Sequence, residues 1–271
     1  MAEKMQNGEK QGVTSMKCAS WNVNSINMRL PHVLDWLAAH KPDALMLQEL
    51  KCMDDKFPLK EIEAAGYHAA VHGQKTWNGV AILSPHPIED VVKGLPGDDS
   101  DEQARYLEAT IKGVRVASIY LPNGNPVESE KYPYKLAWFD RLIARAKQLL
   151  ATEQPVVLAG DYNIIPEDRD CHDPAAWAED ALFRLESRRK FRSLLHLGFT
   201  DAFRAVNDEA HQYTFWDYQA GAWQRDHGIR IDHLLLSPQA ADRLETCAID
   251  RAPRAAEKAS DHTPIYMVLK D

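Results

Sequence analysis

The sequence predicts a mixed α/β protein built on many short strands. Short apolar runs of strand length recur along the chain, from residue 17 to residue 269. Between them lie stretches in which apolar residues return every three or four positions, as on the buried face of a helix. No internal repeat, low-complexity tract or Pro/Gly/Ser-rich linker divides residues 16–271. We therefore expect a single domain at 16–271, preceded by a flexible extension at 1–15.

The first predicted elements are a strand, a helix and two further strands. Residues 17–21 form the first apolar run. Pro31 is expected at the first position of the helix, because the fixed φ of proline suits that position. The helix is expected to end before Pro42. Strands are then predicted at 44–47 and 80–83.

A β-hairpin is predicted in the middle of the chain. Residues 106–111 and 114–120 are strand-like runs that flank Lys112 and Gly113. A two-residue connection of this kind is typical of a tight turn between antiparallel strands.

Two amphipathic helices follow the hairpin. The clearer one is predicted at 134–150, where apolar residues recur at three- and four-residue spacing. The second is predicted at 182–197 and ends at Gly198, because glycine is favoured just past a helix C-terminus. The remaining strands are predicted at 156–159, 231–236 and 265–269.

Composition and charge exclude several classes of protein. Hydrophobic residues make up 45% and charged residues 27% of the 271 residues, which are ordinary globular values and not those of a disordered or fibrous chain. The 32 basic and 40 acidic residues give a net charge of −8. This balance argues against a polycation that coats DNA or anionic membranes, but it leaves open a nucleic-acid enzyme with a local basic face.

Cysteine usage and hydropathy indicate a cytoplasmic protein without membrane contact. The four cysteines are scattered and form no CxxC pair, so reduced thiols are expected rather than a disulfide framework or a zinc site. No apolar run approaches the length that spans a bilayer. The N-terminal segment is polar and lacks the apolar core of a signal peptide. The cysteines are Cys18, Cys52, Cys171 and Cys247.

Oxygen-bearing side chains stand at the ends of the predicted strands. A single such residue is usually a turn or cap residue, but six positions share the pattern. Strand ends gather along one edge of a sheet, and clustered carboxylates would repel one another unless a cation lay among them. Carboxylate and amide oxygens suit Mg²⁺ or Mn²⁺ rather than zinc. The residues are Asn22, Glu49, Asn123, Asp161 with Asn163, Asp232, and Asp261 with His262.

This combination fits phosphodiester hydrolysis assisted by Mg²⁺. An attacking water must be deprotonated, which an aspartate performs, and the charge of the phosphate must be neutralised, which a carboxylate-held metal performs. A histidine beside an aspartate stabilises charge that grows on the phosphate oxygens. The sequence contains no GxSxG or HExxH motif, so acyl-transfer and zincin chemistry lack support.

Eight segments resemble the exonuclease III/AP endonuclease branch of the endonuclease–exonuclease–phosphatase superfamily, over nearly all of 16–271. GDYNI and SDHTP alone would also fit deoxyribonuclease I-like, sphingomyelinase-like or inositol-phosphatase-like relatives, whereas LQELK, TFWDY and GIRID point to the DNA-repair branch. The segments are SWNVNS (20–25), LQELK (47–51), HGQKTWNGVAILS (72–84), YLPNG (120–124), GDYNI (160–164), TFWDY (214–218), GIRIDHLLLS (228–237) and SDHTP (260–264).

The resemblance implies a deoxyribonuclease I-like four-layer α/β sandwich, in which two packed mixed sheets are flanked by helices. It implies that Glu49 binds the divalent metal, which is Mg²⁺ with Mn²⁺ as a possible substitute. Asn22 and Asp261 would lie in or near the metal's shell. Asp161 would orient or deprotonate the attacking water.

The remaining implied roles concern the phosphate. Asn123 and Asn163 would contact it, and Tyr120 would hydrogen-bond the phosphate or hold the nucleophile. His262 would stabilise the phosphate oxygens while Asp232 holds its ring. Whether the metal or His262 carries most of the charge is left open.

The substrate-facing predictions have structural alternatives. Arg188 and Arg189 either contact DNA phosphates or belong to a solvated helix face. Phe215 and Trp216 either line a pocket for a flipped sugar or form a core pair. Ile229 is expected beside Phe215. The loop carries Asn24 where some relatives have Asp, Ile229 stands where some have Trp, and segment 171–177 differs from the best-known bacterial form.

The implied activity is that of a monomeric DNA-repair phosphodiesterase acting on duplex DNA. It would cleave 5′ to an abasic site, remove nucleotides or blocking groups from 3′ ends, or do both. One alternative is a catalytically silent nucleic-acid-binding regulator on the same fold, which would be expected to lack one or more of Glu49, Asp161, Asp232 and His262. The other is a phosphoinositide or phospholipid phosphodiesterase of the same superfamily.

Overall fold

Two six-stranded β-sheets pack face to face with helices on their outer surfaces. This is the architecture of a computed structural model, which describes residues 15–271. The four-layer α/β sandwich implied by the resemblance is therefore confirmed. The extension expected at 1–15 lies, apart from Ser15, outside the described residues.

The strands and helices have the following bounds. The strands are β1 Met16–Asn22, β2 Ala44–Gln48, β3 His68–His72, β4 Val80–Ser84, β5 Glu89–Lys93, β6 Tyr106–Ile111, β7 Val114–Tyr120, β8 Val156–Asp161, β9 Thr200–Asp201, β10 Asp232–Leu236, β11 Leu244–Ile249 and β12 Ile265–Leu269. The helices are α1 Ile26–His40, α2 Leu59–Ala64, α3 Lys131–Leu150, α4 Pro174–Trp177, α5 Leu185–Leu197, α6 Ala202–Val206 and α7 Pro238–Ala241.

The two sheets share one topological feature that positions the strand ends. The first sheet has the order β11-β12-β1-β2-β4-β3 and the second β5-β6-β7-β8-β10-β9. In each sheet one parallel pair, β1-β2 or β7-β8, is flanked by antiparallel neighbours. The C-terminal ends of β1, β2, β7 and β8 and the N-terminal ends of β10 and β12 therefore lie at the same end of the sandwich. Asp232, for example, pairs with Asp161.

The main hydrophobic core lies between the sheets, where inward-facing residues such as Met46, Val116 and Met267 are fully buried. Two further layers of apolar contacts hold the outer helices. Trp36 of α1 packs on the first sheet, and Trp138 of α3 packs on the second. No helix among residues 15–271 is long and apolar enough to cross a membrane. The four cysteines are buried and free.

The predicted position of Pro31 is wrong. Helix α1 begins at Ile26, where the Ser25 hydroxyl caps it by accepting from the backbone N–H of Met28, and Pro31 lies inside the helix. Pro31 is on the exposed face of α1. A proline costs one helical hydrogen bond, and fifteen residues of helix with a buried apolar face tolerate that loss. The second amphipathic helix begins at Leu185 rather than residue 182.

Gly160 provides a test of the packing that sets the ends of β7 and β8. A Cβ on Gly160 would lie 1.9 Å from the carbonyl oxygen of Ile119 in β7. We expect Gly160→Ala to lower the free energy of unfolding by about 2–3 kcal/mol, because β7 must move away. Urea denaturation measures this loss. Gly94→Ala is the comparison, since a Cβ there has no neighbour within 4 Å and only its φ of +84° opposes an alanine. An equal loss in both variants would contradict the steric explanation.

Candidate active site

A cleft opens where the strand ends of both sheets meet. It encloses about 300 Å³ and has a polar floor and an apolar side wall. The side wall is formed by Trp177, Leu182, Phe215 and Ile231. The polar residues are Glu49, Tyr120, Asn123, Asn125, Asp161, Asn163, Asp180, Asp217, Asp261 and His262.

Asn22 joins the two sheets at the bottom of this cleft. It ends β1, and its Nδ2 donates to Glu49 Oε1 at 2.8 Å and to Asp161 Oδ2 at 2.9 Å. Tyr120, at the end of β7, donates its hydroxyl proton to the same Glu49 oxygen at 2.9 Å. Glu49 has a φ of 52°, a left-handed conformation that is rare for glutamate and that functional sites often hold. The side chains predicted from strand ends are thus in direct contact.

His262 and Asp232 form a buried pair next to Asp161. His262 Nδ1 lies 2.8 Å from Asp232 Oδ2, and His262 Nε2 lies 3.7 Å from Asp161 Oδ2. Burial alone would lower the pKa of His262, but the charges of Asp232 and Asp161 outweigh it and raise that pKa to about 10. The imidazole is therefore protonated at neutral pH, with Nδ1–H donating to Asp232 and Nε2–H available toward Asp161.

The carboxyl group of Asp161 has a higher pKa than that of an ordinary surface aspartate. Burial, with a smaller contribution from the charge of Asp232, raises its pKa to about 7, although the His262 charge and the hydrogen bonds from Asn163 and Asn22 act against this. A carboxylate whose pKa lies near neutral pH is a stronger base than a solvated one. Asp161 is thus suited to accept a proton from a water molecule.

Two asparagines form the adjoining wall. The backbone N–H of Asn163 donates to Asp161 Oδ1 at 2.9 Å, and its side-chain Nδ2 donates to the Leu121 carbonyl at 2.9 Å. Asn123 Nδ2 donates to Asn163 Oδ1 at 3.2 Å. Both side chains consequently have fixed orientations beside Asp161 and His262.

The group suited to a metal differs from the expected set. Ligand atoms of Glu49, Asp161 and His262 lie within 4.8 Å of one another. Asp261 lines the cleft but is not in this group, and its Oδ1 accepts from Asn24 at 3.2 Å. Asn22 directs its amide N–H groups, not its oxygen, at the two carboxylates. A protonated His262 has no free nitrogen lone pair with which to bind a metal. The carboxylate oxygens of Glu49 and Asp161 are then the remaining metal ligands, and oxygen ligands fit a hard divalent cation.

Two predicted substrate residues are not part of the cleft. The Trp216 ring is fully buried, lies 4.9 Å from the ring of Trp223, and donates its Nε1–H to Asp226 at 2.9 Å. Ile229 is 1% exposed and does not line the cleft. Trp216 thus occupies the core position that was the alternative for it, because adjacent side chains of an extended segment point to opposite faces. Ile229 does lie beside Phe215, as expected, since the two residues exchange backbone hydrogen bonds at 3.0 Å. Phe215 does line the cleft, as expected, with its ring 5.0 Å from that of His262.

The arginines of α5 also lie outside the cleft. Arg188 stacks on the Phe183 ring at 4.4 Å and donates to the Pro166 carbonyl at 3.0 Å. Arg189 is exposed on the same helix. The sequence did not single out Trp177 or Leu182, which form the side wall. Trp177 belongs to segment 171–177, whose difference from the best-known bacterial form was the one signal for this wall.

Fold and cleft together define a class of protein: a deoxyribonuclease I-like hydrolase with an acidic cleft between two sheets. Residues 19–262 match the sequence profile of the Endonuclease/Exonuclease/phosphatase family, so the chain belongs to that family. It is an enzyme of the exodeoxyribonuclease III and AP endonuclease type.

Three relatives illustrate this likeness. The chain is 33% identical to exodeoxyribonuclease III of Haemophilus influenzae, over 94% of this chain and 100% of that protein. An AP endonuclease from Archaeoglobus fulgidus superposes with a TM-score of 0.90 at 40% identity, covering 94% of this chain and 99% of that one. A 3′ phosphatase from Neisseria, bound to a product DNA hairpin, superposes with a TM-score of 0.91 at 44% identity, covering 93% of this chain and 98% of that one.

Proposed function

We propose that this protein is a Mg²⁺-dependent DNA-repair phosphodiesterase that cleaves 5′ to abasic sites and removes nucleotides or blocking groups from 3′ ends of duplex DNA. The observation that carries the proposal is the convergence of Glu49, Asp161 and His262 within 4.8 Å. The relatives named for AP endonuclease, exonuclease and 3′ phosphatase activities support a DNA substrate. Mg²⁺ is favoured because carboxylate oxygens are its preferred ligands.

The proposed mechanism gives each residue around Asp161 and His262 one role. Glu49 would hold the cation, which when bound neutralises phosphate charge. Asn22 orients Glu49 and Asp161 by donating a hydrogen bond to each carboxylate. Asp161 accepts a proton from the attacking water as the water oxygen bonds to phosphorus. The protonated His262 donates to a phosphate oxygen and stabilises its growing charge, while Asp232 holds the ring. The P–O3′ bond breaks, the leaving 3′-oxygen takes a proton from solvent water, and the products are a 3′-hydroxyl and a 5′-phosphate.

The remaining residues orient the substrate in this proposal. Asn123 and Asn163 contact the phosphate, and Tyr120 contacts it or holds the nucleophile. Phe215 contributes to an apolar wall for the sugar. We propose that residues 16–271 act as one catalytic domain, since both sheets supply cleft residues, and that the enzyme works as a cytoplasmic monomer. Arg188 and Arg189 keep a proposed role only toward DNA beyond the cleft.

The direct test compares duplexes that carry one abasic site, one 3′-phosphate or one recessed 3′ end. We expect wild-type protein to cut or trim them with Mg²⁺ and to stop when the metal is chelated. A silent DNA-binding regulator would shift the mobility of these duplexes without cutting them. Hydrolysis of phosphoinositides but not of DNA would favour the phospholipid phosphodiesterase.

Glu49→Gln tests the proposed metal ligand. The change removes the charge of Glu49 but keeps an amide oxygen near Asn22 and Tyr120. We expect activity at limiting Mg²⁺ to fall by about 100-fold, and the Mg²⁺ concentration for half-maximal activity to rise, because carboxylate charge drives Mg²⁺ binding. Titration of activity with Mg²⁺ measures both effects. Glu61→Gln, at an exposed position of α2, is the control, and an unchanged Mg²⁺ requirement in Glu49→Gln would refute the ligand assignment.

A further inference from the structure

A lysine side chain is buried directly behind the cleft. Lys135 lies on α3 and is 0% exposed. Its Nζ donates to the carbonyl of Asn163 at 2.6 Å and to the carbonyl of Asn123 at 3.0 Å. These carbonyls belong to two different loops, which follow β8 and β7. One ammonium group therefore ties together the backbones of the two asparagines that form the cleft wall.

Burying this charge is unfavourable for the fold. Burial lowers the pKa of Lys135 to about 7, although the charges of Asp161 and Asp180 act against this. Its hydrogen-bond partners are these two backbone carbonyls and not a carboxylate. A cation in the interior is costly unless it is well paired. The neighbouring buried residues of α3, such as Trp138 and Phe139, are apolar, so an apolar side chain would be the ordinary choice here.

The turn after Asn123 is shaped around the stem of this lysine. Gly124 has a φ of +90°, and a Cβ there would lie 2.6 Å from Lys135 Cδ and 3.1 Å from the Cβ of Ala181. A glycine is therefore required by the close approach as well as by the backbone conformation. The chain around Asn123 rests on the lysine itself, so its position depends on that side chain.

We propose that Lys135 is a positioning residue, which locks the loops after β7 and β8 together so that the side chains of Asn123 and Asn163 are aligned for one phosphate. The inference rests on the proposed phosphodiesterase function. The contact of Asn123 Nδ2 with Asn163 Oδ1 at 3.2 Å is the cleft-side counterpart of the two lysine–carbonyl bonds. Lys135 itself touches no substrate.

The test combines Lys135→Met with Asn163→Ala on the abasic duplex. Lys135→Met keeps the length of the side chain and removes its donors. We expect kcat per folded molecule to fall by about 10- to 100-fold, as small misplacements of catalytic groups do, with an unchanged Mg²⁺ requirement. In the Asn163→Ala background the same change should cost less activity than it does in the wild-type background, because one of the two aligned groups is already absent. Lys147→Met, on an exposed turn of α3, should match wild type.

The outcomes separate this inference from the proposed function. A wild-type protein that cuts no DNA defeats the proposed function, and the inference is then decided by the crystal structure of Lys135→Met, in which unmoved loops at Asn123 and Asn163 overturn it. If the kcat losses of Lys135→Met and Asn163→Ala multiply fully in the double variant, Lys135 acts independently of Asn163, and the positioning role is also overturned. If Lys135→Met does not fold, Lys135→Gln, whose amide group keeps N–H donors without the charge, replaces it. Failure of both variants to fold assigns the residue to stability alone and rejects the proposal.

Discussion

Asp161→Asn should lower kcat on an abasic duplex by about 10³- to 10⁴-fold without disturbing the fold. The substitution keeps a polar side chain of the same shape, but an amide cannot accept the proton of an attacking water, and general-base catalysis commonly contributes factors of this size. Single-turnover cleavage measures the effect. Binding of the duplex should change little, because Asp161 is assigned to the chemical step and not to the DNA backbone.

A second measurement on the same variant checks the electrostatic reason. The pKa of Asp161 is raised in the folded protein to about 7 from the usual aspartate value of 3.8, mainly by burial. The folded state therefore holds this proton more tightly than the unfolded state, so its stabilising effect is present at low pH and is lost as pH rises toward 7. Asp161→Asn has no titrating carboxyl at this position, so it does not lose this stability as pH rises. Its stability relative to wild type should increase between pH 4 and pH 7.

The control is Asp35→Asn, at an exposed position of α1. It should match wild type both in kcat and in the pH dependence of unfolding. Cleavage by Asp161→Asn at the wild-type rate would remove Asp161 from the chemistry. A stability difference that is constant across this pH range would instead show that the buried carboxyl is not the source of the effect.

The sequence predicted the central strands but not the edge strands. The strands that were missed, β3, β5, β9 and β11, are the four edges of the two sheets. An edge strand has a neighbour on only one side, so its residues are less buried and its apolar pattern is weaker. Strand β5, for example, consists mostly of exposed residues. The central runs are buried on both faces and read as continuous apolar segments.

The polar floor of the cleft was predictable because its residues follow central strands. Glu49, Asp161 and His262 each stand beside an apolar run, and the topology then brings those ends together. The side wall was not predictable in the same way. Trp177 lies on the short helix α4 and Leu182 lies in a loop before α5, where no periodicity places them. Trp216 was misplaced because nothing in an irregular segment indicates which of two adjacent aromatics faces inward.

Lys135 was missed for a different reason. It occupies a buried position of an amphipathic helix whose apolar spacing was recognised, but lysine counts as a surface residue in such a pattern. Its partners are backbone carbonyls of two distant loops. A contact between a side chain and a distant backbone leaves no mark in the identities of neighbouring residues, so only the tertiary structure reveals it.

Asp232→Asn should lower kcat by about 100- to 1000-fold and make activity more sensitive to alkaline pH. Asp232 Oδ2 holds His262 Nδ1 at 2.8 Å, and its charge makes the largest contribution that raises the pKa of His262 to about 10. Without that charge the pKa falls, so the imidazole loses its proton at a lower pH and can no longer donate to the phosphate. A pH profile of kcat between pH 6 and pH 9 should show the descending limb at lower pH than in wild type.

A double-mutant cycle separates the interaction between Asp232 and His262 from other effects of the Asp232→Asn substitution. His262→Asn should itself lose about 100- to 1000-fold in kcat, as expected when a preorganised donor to the phosphate is removed. Asp232→Asn in that background should cause little further loss, because its role is exercised through the imidazole. A large additional loss would mean that Asp232 acts on the substrate or on the fold directly. An unshifted pH profile in the single variant would mean that Asp232 does not keep His262 protonated.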